Sequence, residues 1–387
     1  MKLNKAKGLV AAVAISLALS GCAAGADNTG GTMLDKLGKN ETSLSLLGWP
    51  GYAEDGSNDP NTDWVTPFEK ETGCQVTFKS YGTSDEALSL FKTGDYDAIA
   101  ASGDATLRLI AGGDVQPLNT DLIPSYAGVY SFLKDRNWNS ADGKTYGVPH
   151  GYGANLLMYN TKVVTPAPTS WDVVFDGASK YQGKVTAYDS PIYIADAALY
   201  LMKHKPELKI TNPYALDKDQ LAAAVELLKA QRANIGEYWS DYLKSIQSFE
   251  TGNSVVGTTW QVIQNSMSAK SNTASILPSE GATGWSDSWM VSSSAKHVNC
   301  AYKWLDYIDS PKANAAATEY FGEAPVTNDA CQYASKGFCE TYHAGDEAYA
   351  AQIWYWTTPI SKCLDGRTDV KCTDYAAWTK AWQDIKG

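Results

Sequence analysis

Residues Gln75 to Leu118 read QVTFKSYGTSDEALSLFKTGDYDAIAASGDATLRLIAGGDVQPL, and this stretch decides the fold class. Gln75-Val76-Thr77-Phe78 alternates polar and apolar, as a half-buried strand does. Thr83-Ser84-Asp85-Glu86 is a capping box, and the helix it opens carries Leu88 and Phe91 on one face. Tyr96-Asp97-Ala98-Ile99-Ala100 predicts the next strand. Asp104 is placed to cap a helix bearing Leu107 and Ile110. Strand and helix repeated in so short a span predict a parallel sheet covered on both faces.

The same rhythm continues outward. Ser43-Leu44-Ser45-Leu46-Leu47 reads as a short strand. Residues 63–72 read as a helix, with Trp64 and Phe68 four apart and Gly73 as its stop. Gly147-Val148-Pro149 and Leu156-Leu157-Met158-Tyr159 read as a pair of strands leaving this first unit. A second unit follows, with a short helix over 171–175, a strand over 184–187 and a helix over 194–203. The clearest helix spans 217–233, with Leu221, Val225 and Leu228 on one side and Gly236 beyond its end. Residues 254–259 form a strand running into Trp260, and 274–277 another. An amphipathic helix over 296–309 is stopped by Pro311. The 387 residues fit two units at roughly 100–200 residues per domain.

The N-terminus reads as an export signal. Lys2, Lys5 and Lys7 precede an apolar run over residues 8–19, too short to span a bilayer as a helix. Leu19-Ser20-Gly21-Cys22 resembles a bacterial lipobox, so Cys22 is expected to become the lipidated first residue of the mature chain, palmitate among its acyl groups. Residues 1–21 are then the signal peptide, and 22–40, rich in Gly, Ala, Asn and Thr, a flexible tether. No later stretch is apolar for long enough to cross a membrane. The expected location is the extracytoplasmic face of the cell membrane, held by the lipid.

Composition narrows the function. The net charge is −11, and loss of the three leader lysines takes the mature chain to −14. Such a chain is a poor partner for nucleic acid, because phosphate binding needs a basic patch. There are 13 Trp and 23 Tyr against 8 Phe, a bias toward aromatics that carry a polar handle. No GxGxxG, Walker loop, HExxH or G-x-S-x-G occurs. No catalytic residue, metal or cofactor is expected.

Setting Cys22 aside leaves six cysteines in an oxidising compartment. Six allow 15 pairings. Cys331 and Cys339 lie eight apart and Cys363 and Cys372 nine apart, close enough to staple local loops, which leaves Cys74 and Cys300 for each other. A zinc site is the rival reading, though only His297 and His343 lie near cysteines in sequence.

At this point the chain resembles the solute-binding proteins of bacterial ABC importers, and most of all their spermidine/putrescine-binding branch. The resemblance covers about residues 43 to 328 and rests on order and spacing. Gly48-Trp49-Pro50-Gly51-Tyr52 matches the aromatic pair after the first strand. The segment from Thr66 to Val76, TPFEKETGCQV, matches its conserved helix end. Asp95-Tyr96-Asp97-Ala98-Ile99 matches the strand before the first ligand loop. Pro278-Ser279-Glu280-Gly281 with Trp285-Ser286-Asp287-Ser288 matches a further segment, followed by a helix with Ala301, Trp304, Leu305 and Ile308.

The resemblance implies a two-lobed periplasmic-binding-protein fold of the type II kind, α/β, with discontinuous lobes joined by crossing strands and the ligand in the cleft. Lobe 1 takes residues 41–148 plus 288–328, and lobe 2 takes 149–287 plus 329–387. Cys74 and Cys300 then share a lobe, which supports their pairing. The implied partners are a permease and an ATPase, and the implied state a monomer. A linear polyamine needs carboxylates at its ammonium ends and aromatic faces along its stem. Trp49, Tyr52, Trp260 and Trp285 match the aromatic positions. Asp287 matches a carboxylate meeting an inner amine, and Asp189 one meeting a terminal amine. The sequence departs from the pattern in three places. Asp104 stands where a tyrosine or serine is usual, Ile192 replaces a second acid, and the tail glutamine has no counterpart near Trp354-Tyr355-Trp356. These departures leave room for a betaine, an amino acid or a sugar as ligand. The rival class is a secreted glycoside hydrolase.

Overall fold

The structure is a computed structural model and describes residues 31–39, 41–267 and 271–387. The expected leader, Cys22 as the expected lipid acceptor, and residues 23–30 of the expected tether lie outside these residues.

The opening repeat forms as its pattern dictates. Strand β1 (Ser43–Gly48) lies between β2 (Gln75–Ser80) and β3 (Ala98–Ala101), parallel to both. The helix Val65–Thr72 starts two residues later than expected, because Asp63 stays outside it and accepts from the Thr66 N–H. It ends at Gly73, whose φ of 76° is the left-handed conformation that glycine adopts without strain. Thr83 caps the helix Ser84–Phe91 by accepting from Glu86 N–H. The reciprocal half of the box is displaced: the Glu86 carboxylate accepts from Gly82 N–H instead of from Thr83.

One expectation about the third helix is corrected. Ser102, not Asp104, is the N-cap of Gly103–Gly112. Asp104 sits inside the first turn, buried, and accepts from the Ser84 hydroxyl at 3.0 Å.

A second correction concerns residues 147–160. They form one 14-residue strand, β4 (Gly147–Asn160), rather than two. Gly151 and Gly153 lie inside this strand, and neither is a turn. A Cβ on Gly153 would lie 2.4 Å from the Trp285 ring, and one on Gly151 2.1 Å from the Glu323 carboxyl. These glycines make room for facing side chains while the strand runs on. Gly236, which the sequence places beyond the end of a helix, lies inside a strand, Ile235–Trp239. There a Cβ would sit 2.2 Å from the Gly183 carbonyl oxygen.

The remaining strands of this sheet are β5 (Val185–Tyr188), β6 (Ile235–Trp239), β7 (Val256–Trp260), β8 (Thr273–Ile276), β9 (Ala282–Val291), β10 (Ala324–Pro325) and β11 (Ile353–Tyr355). The main sheet order is β2-β1-β3-β9-β4-β7-β5-β6. Its two ends are parallel three-stranded units, β2-β1-β3 and β7-β5-β6. Strands β4 and β9 run antiparallel through the middle. β9 pairs with β3 on one side, and the far half of β4 pairs with β7 on the other. The molecule is thus two α/β lobes joined by two long shared strands. The β4–β9 register slips between Asp287 and Ser288, leaving His150 as the extra residue of a bulge.

All three proposed disulfides form: Cys74–Cys300, Cys331–Cys339 and Cys363–Cys372. The first ties the entry of β2 to the helix Val298–Ile308, and together they take up the thiolates a zinc site would need. No helix among the described residues is long and apolar enough to cross a membrane.

Candidate functional site

The parallel strands of both units end at one cavity of about 1010 Å³. This is where an open α/β sheet exposes loops and helix starts to a ligand. One wall comes from the turn after β1, from the end of β2 and from Ser102. The other comes from Tyr188 at the end of β5, Asp241 and Tyr242 beyond β6, and Trp260 at the end of β7. Trp285 and Asp287 rise from β9 between them. Trp49, Trp260, Trp285 and Asp287, all expected from sequence, are thereby brought together.

Three expected residues lie elsewhere. Tyr52 is fully buried behind the wall, and its hydroxyl donates to Asp287 Oδ2 at 2.8 Å. Asp104 is buried beneath the Ser102 turn and does not line the cavity. Asp189 faces away, with both carboxylate oxygens 2.7 Å from Lys386 Nζ and Oδ1 accepting from Trp382 Nε1. Successive strand residues point to opposite faces. Tyr188 turns into the cavity, so Asp189 turns toward the C-terminal helix Tyr375–Lys386.

Several aromatic lining residues escaped the sequence reading, Tyr188, Tyr242 and Trp356 among them. Trp356 and Tyr188 stack at 5.6 Å between ring centroids with 16° between planes. Trp285 lies 6.2 Å from Trp356 and 5.4 Å from Trp260, and Trp260 lies 5.8 Å from Tyr188. The four rings close into a box. Trp356 reaches it because β11 pairs with β9 and the Trp356 N–H donates to Gly284 O at 2.7 Å. The tail then crosses the third helix at Gly103, where a Cβ would be 1.8 Å from the Trp356 carbonyl oxygen. The aromatic run at 354–356 was visible in sequence. Which ring faces inward depends on the register of β11.

The electrostatics of the cavity are one-sided. Its lining includes the carboxylates Glu54, Asp55, Asp241 and Asp287, and no Lys, Arg or His among the described residues. Asp287 is 2% exposed, and its Oδ1 makes no hydrogen bond of ordinary geometry, although the Ser102 hydroxyl and the Trp49 indole lie beside the carboxyl. Burial pushes its carboxyl up to about 6; the Ser102 and Tyr52 hydroxyls restrain that rise, and the Asp104 carboxylate adds to it. Asp104 is itself pushed up to about 6 by burial.

A further acid, Glu323, was not singled out in sequence. It lies behind the wall, fully buried, with Oε2 accepting from Trp285 Nε1 at 3.4 Å and lying 3.3 Å from the Tyr52 hydroxyl. Burial first, then the nearby Asp287 charge, raises its carboxyl well above the usual range. No local pattern marks Glu323, since its partners come from distant parts of the chain.

A family model for bacterial extracellular solute-binding proteins matches residues 63–344. The chain belongs to that family. Among its relatives is a putrescine/agmatine-binding protein of Pseudomonas aeruginosa, 27% identical over 76% of this chain and 80% of that one. A putrescine/cadaverine-binding protein of the same organism is 23% identical over 72% and 78%. The crystal structure of the TpPotD lipoprotein of Treponema pallidum superposes with a TM-score of 0.72 at 17% identity, over 89% of this chain and 99% of that one. This last likeness speaks for the two-lobed fold alone.

Proposed function

We propose that this solute-binding protein captures a small organic cation of the polyamine class, such as putrescine or spermidine, and delivers it to the permease of an ABC importer. One observation carries the reading: a buried carboxylate oxygen of Asp287 that makes no hydrogen bond of ordinary geometry, in a cavity framed by four aromatic rings and lined by no basic side chain among the described residues. An ammonium placed there satisfies Asp287 Oδ1, while the methylene stem lies against the Trp260, Trp285, Trp356 and Tyr188 faces. The rim acids Glu54, Asp55 and Asp241 suit a second positive end. The names of the two Pseudomonas relatives support the same ligand class.

The lobe division proposed from sequence, 41–148 plus 288–328 and 149–287 plus 329–387, puts opposite cavity walls on different lobes. A ligand touching both walls favours the closed form, because closure is driven only by the differential affinity for it. Lipid attachment at Cys22 would keep the receptor beside its permease; Cys22→Ala is expected to yield unprocessed or released protein. The ligand reading is tested by thermal-shift and calorimetric titration against putrescine, spermidine, betaines, amino acids and oligosaccharides. A ligand at 100 times its Kd stabilises by about 2.7 kcal/mol. Stabilisation by a neutral sugar and by no amine would overturn the cation reading. Turnover of a chromogenic glycoside would overturn the receptor role.

A further inference from the structure

Behind the cavity wall two carboxyl groups share one hydroxyl. Tyr52 Oη lies 2.8 Å from Asp287 Oδ2 and 3.3 Å from Glu323 Oε2. A phenol has a single proton to give, and the shorter contact takes it. The longer contact would then set two lone-pair oxygens against each other, unless Glu323 carries a proton of its own.

Among the described residues, the surroundings offer Glu323 no positive charge. Its Oε1 has no hydrogen-bond partner and faces His150 Nε2 at 3.9 Å. His150 is fully buried at the β4 bulge with both ring nitrogens unpaired, so burial holds its imidazole neutral. The other titratable groups felt by this cluster are Asp104 from the third helix, Tyr81 after β2, Tyr188 at the end of β5 and Tyr342 from the tail. None is a cation. The carboxyl also packs against the backbone of β4 at Gly151, where even a methyl group would collide with it.

We propose that Glu323 is a positioning residue that works as a neutral acid, holding Tyr52 and Trp285 in place so that, of this buried pair, Asp287 alone is the negative charge against which the ligand cation is set. Two adjacent buried carboxylates without a countercharge do not both ionise. The proton stays on Glu323 because Asp287 alone reaches the cavity and receives the Tyr52 proton at short range. The Trp285 indole N–H is anchored on the same oxygen, so this acid also fixes one face of the aromatic box. The buried end of the site then matches one ammonium, and a second amine must be met at the rim by Glu54, Asp55 or Asp241. This inference rests on the polyamine reading for its ligand, but not for its protonation state.

The test has a ligand-free arm and a binding arm. Infrared difference spectra of the unliganded protein at pH 7, wild type minus Glu323→Gln, are expected to show the carbonyl stretch of a protonated carboxylic acid. Buried Asp196 and Asp309, which burial also raises, contribute equally to both spectra and cancel. In calorimetry with putrescine, Glu323→Gln should bind within about twofold of wild type, because a neutral amide replaces a neutral acid. Glu323→Ala should weaken binding at least about tenfold, as Tyr52 and Trp285 lose their anchor. Absence of the infrared band overturns the proposal whatever binds. So does a tenfold loss in the Gln variant, which would mark Glu323 as an ionised contributor to cation affinity. Failure of putrescine to bind the wild type would count against the polyamine reading alone, since the infrared comparison decides the state of Glu323 without ligand.

Discussion

Replacing Asp287 by Asn should make the empty protein more stable and the ligand complex weaker. The carboxyl is raised to about 6 in the folded state, against 3.8 for an unperturbed aspartate. At 1.36 kcal/mol per unit, that difference amounts to about 3 kcal/mol. The raised value means that the folded state binds the proton more tightly than the unfolded chain does. The penalty is therefore absent below pH 3.8, grows through the interval and is complete above pH 6. Asp287→Asn keeps the shape and an acceptor for Tyr52, so it should stabilise the unliganded protein by up to about 3 kcal/mol at pH 7 to 8 and by little near pH 4. The same change leaves the ligand ammonium without its charge partner, a loss of about 2–5 kcal/mol in affinity. Thermal unfolding of both proteins across that pH range, with calorimetry at pH 7.5, measures the two effects. An Asn variant that is less stable than wild type at pH 8, or whose stability difference does not change with pH, would refute the burial argument. Unchanged affinity would show that Asp287 does not meet the cation.

Other outcomes follow from the same geometry. Polyamine affinity should be flat above pH 6 and fall by about tenfold per unit below it, as Asp287 protonates while the amines stay charged; calorimetry at stepped pH checks this. Asp189→Asn should leave ligand binding within about twofold and cost about 0.2–1 kcal/mol of stability, since its partner is the part-exposed Lys386. A large loss of affinity would return Asp189 to the site. Gly153→Ala drives a methyl group into the Trp285 ring, so it should cost about 1–3 kcal/mol of stability and weaken binding, read by denaturant unfolding and titration. Removing Cys363–Cys372 should cost about 2–3 kcal/mol in the chain-entropy model, and removing Cys74–Cys300, whose separation is 226 residues, about 5 kcal/mol or slightly more. Unfolding of the paired serine variants gives the order.

The sequence by itself determined what near neighbours decide. The period-2 and period-3.6 runs placed the strands and helices of the opening repeat and several beyond it, and Gly73 marked a helix end because only a left-handed residue fits there. Two short cysteine spacings pointed to local staples, and both formed. Trp260, Trp285 and Asp287 were legible because they belong to segments matching a known pattern. Tertiary structure decided what depends on distant partners. Gly151 and Gly153 are needed in one continuous strand because Glu323 and Trp285 are set against them. Asp189 looked like a ligand residue until a lysine 197 positions away occupied it. Tyr52 looked like a stacking face, yet it holds Asp287, 235 positions away, from behind. An acid's chemistry is set by its burial and by the charges within a few ångströms. Local pattern specifies which way a chain alternates, but not which remote side chain meets it across the fold.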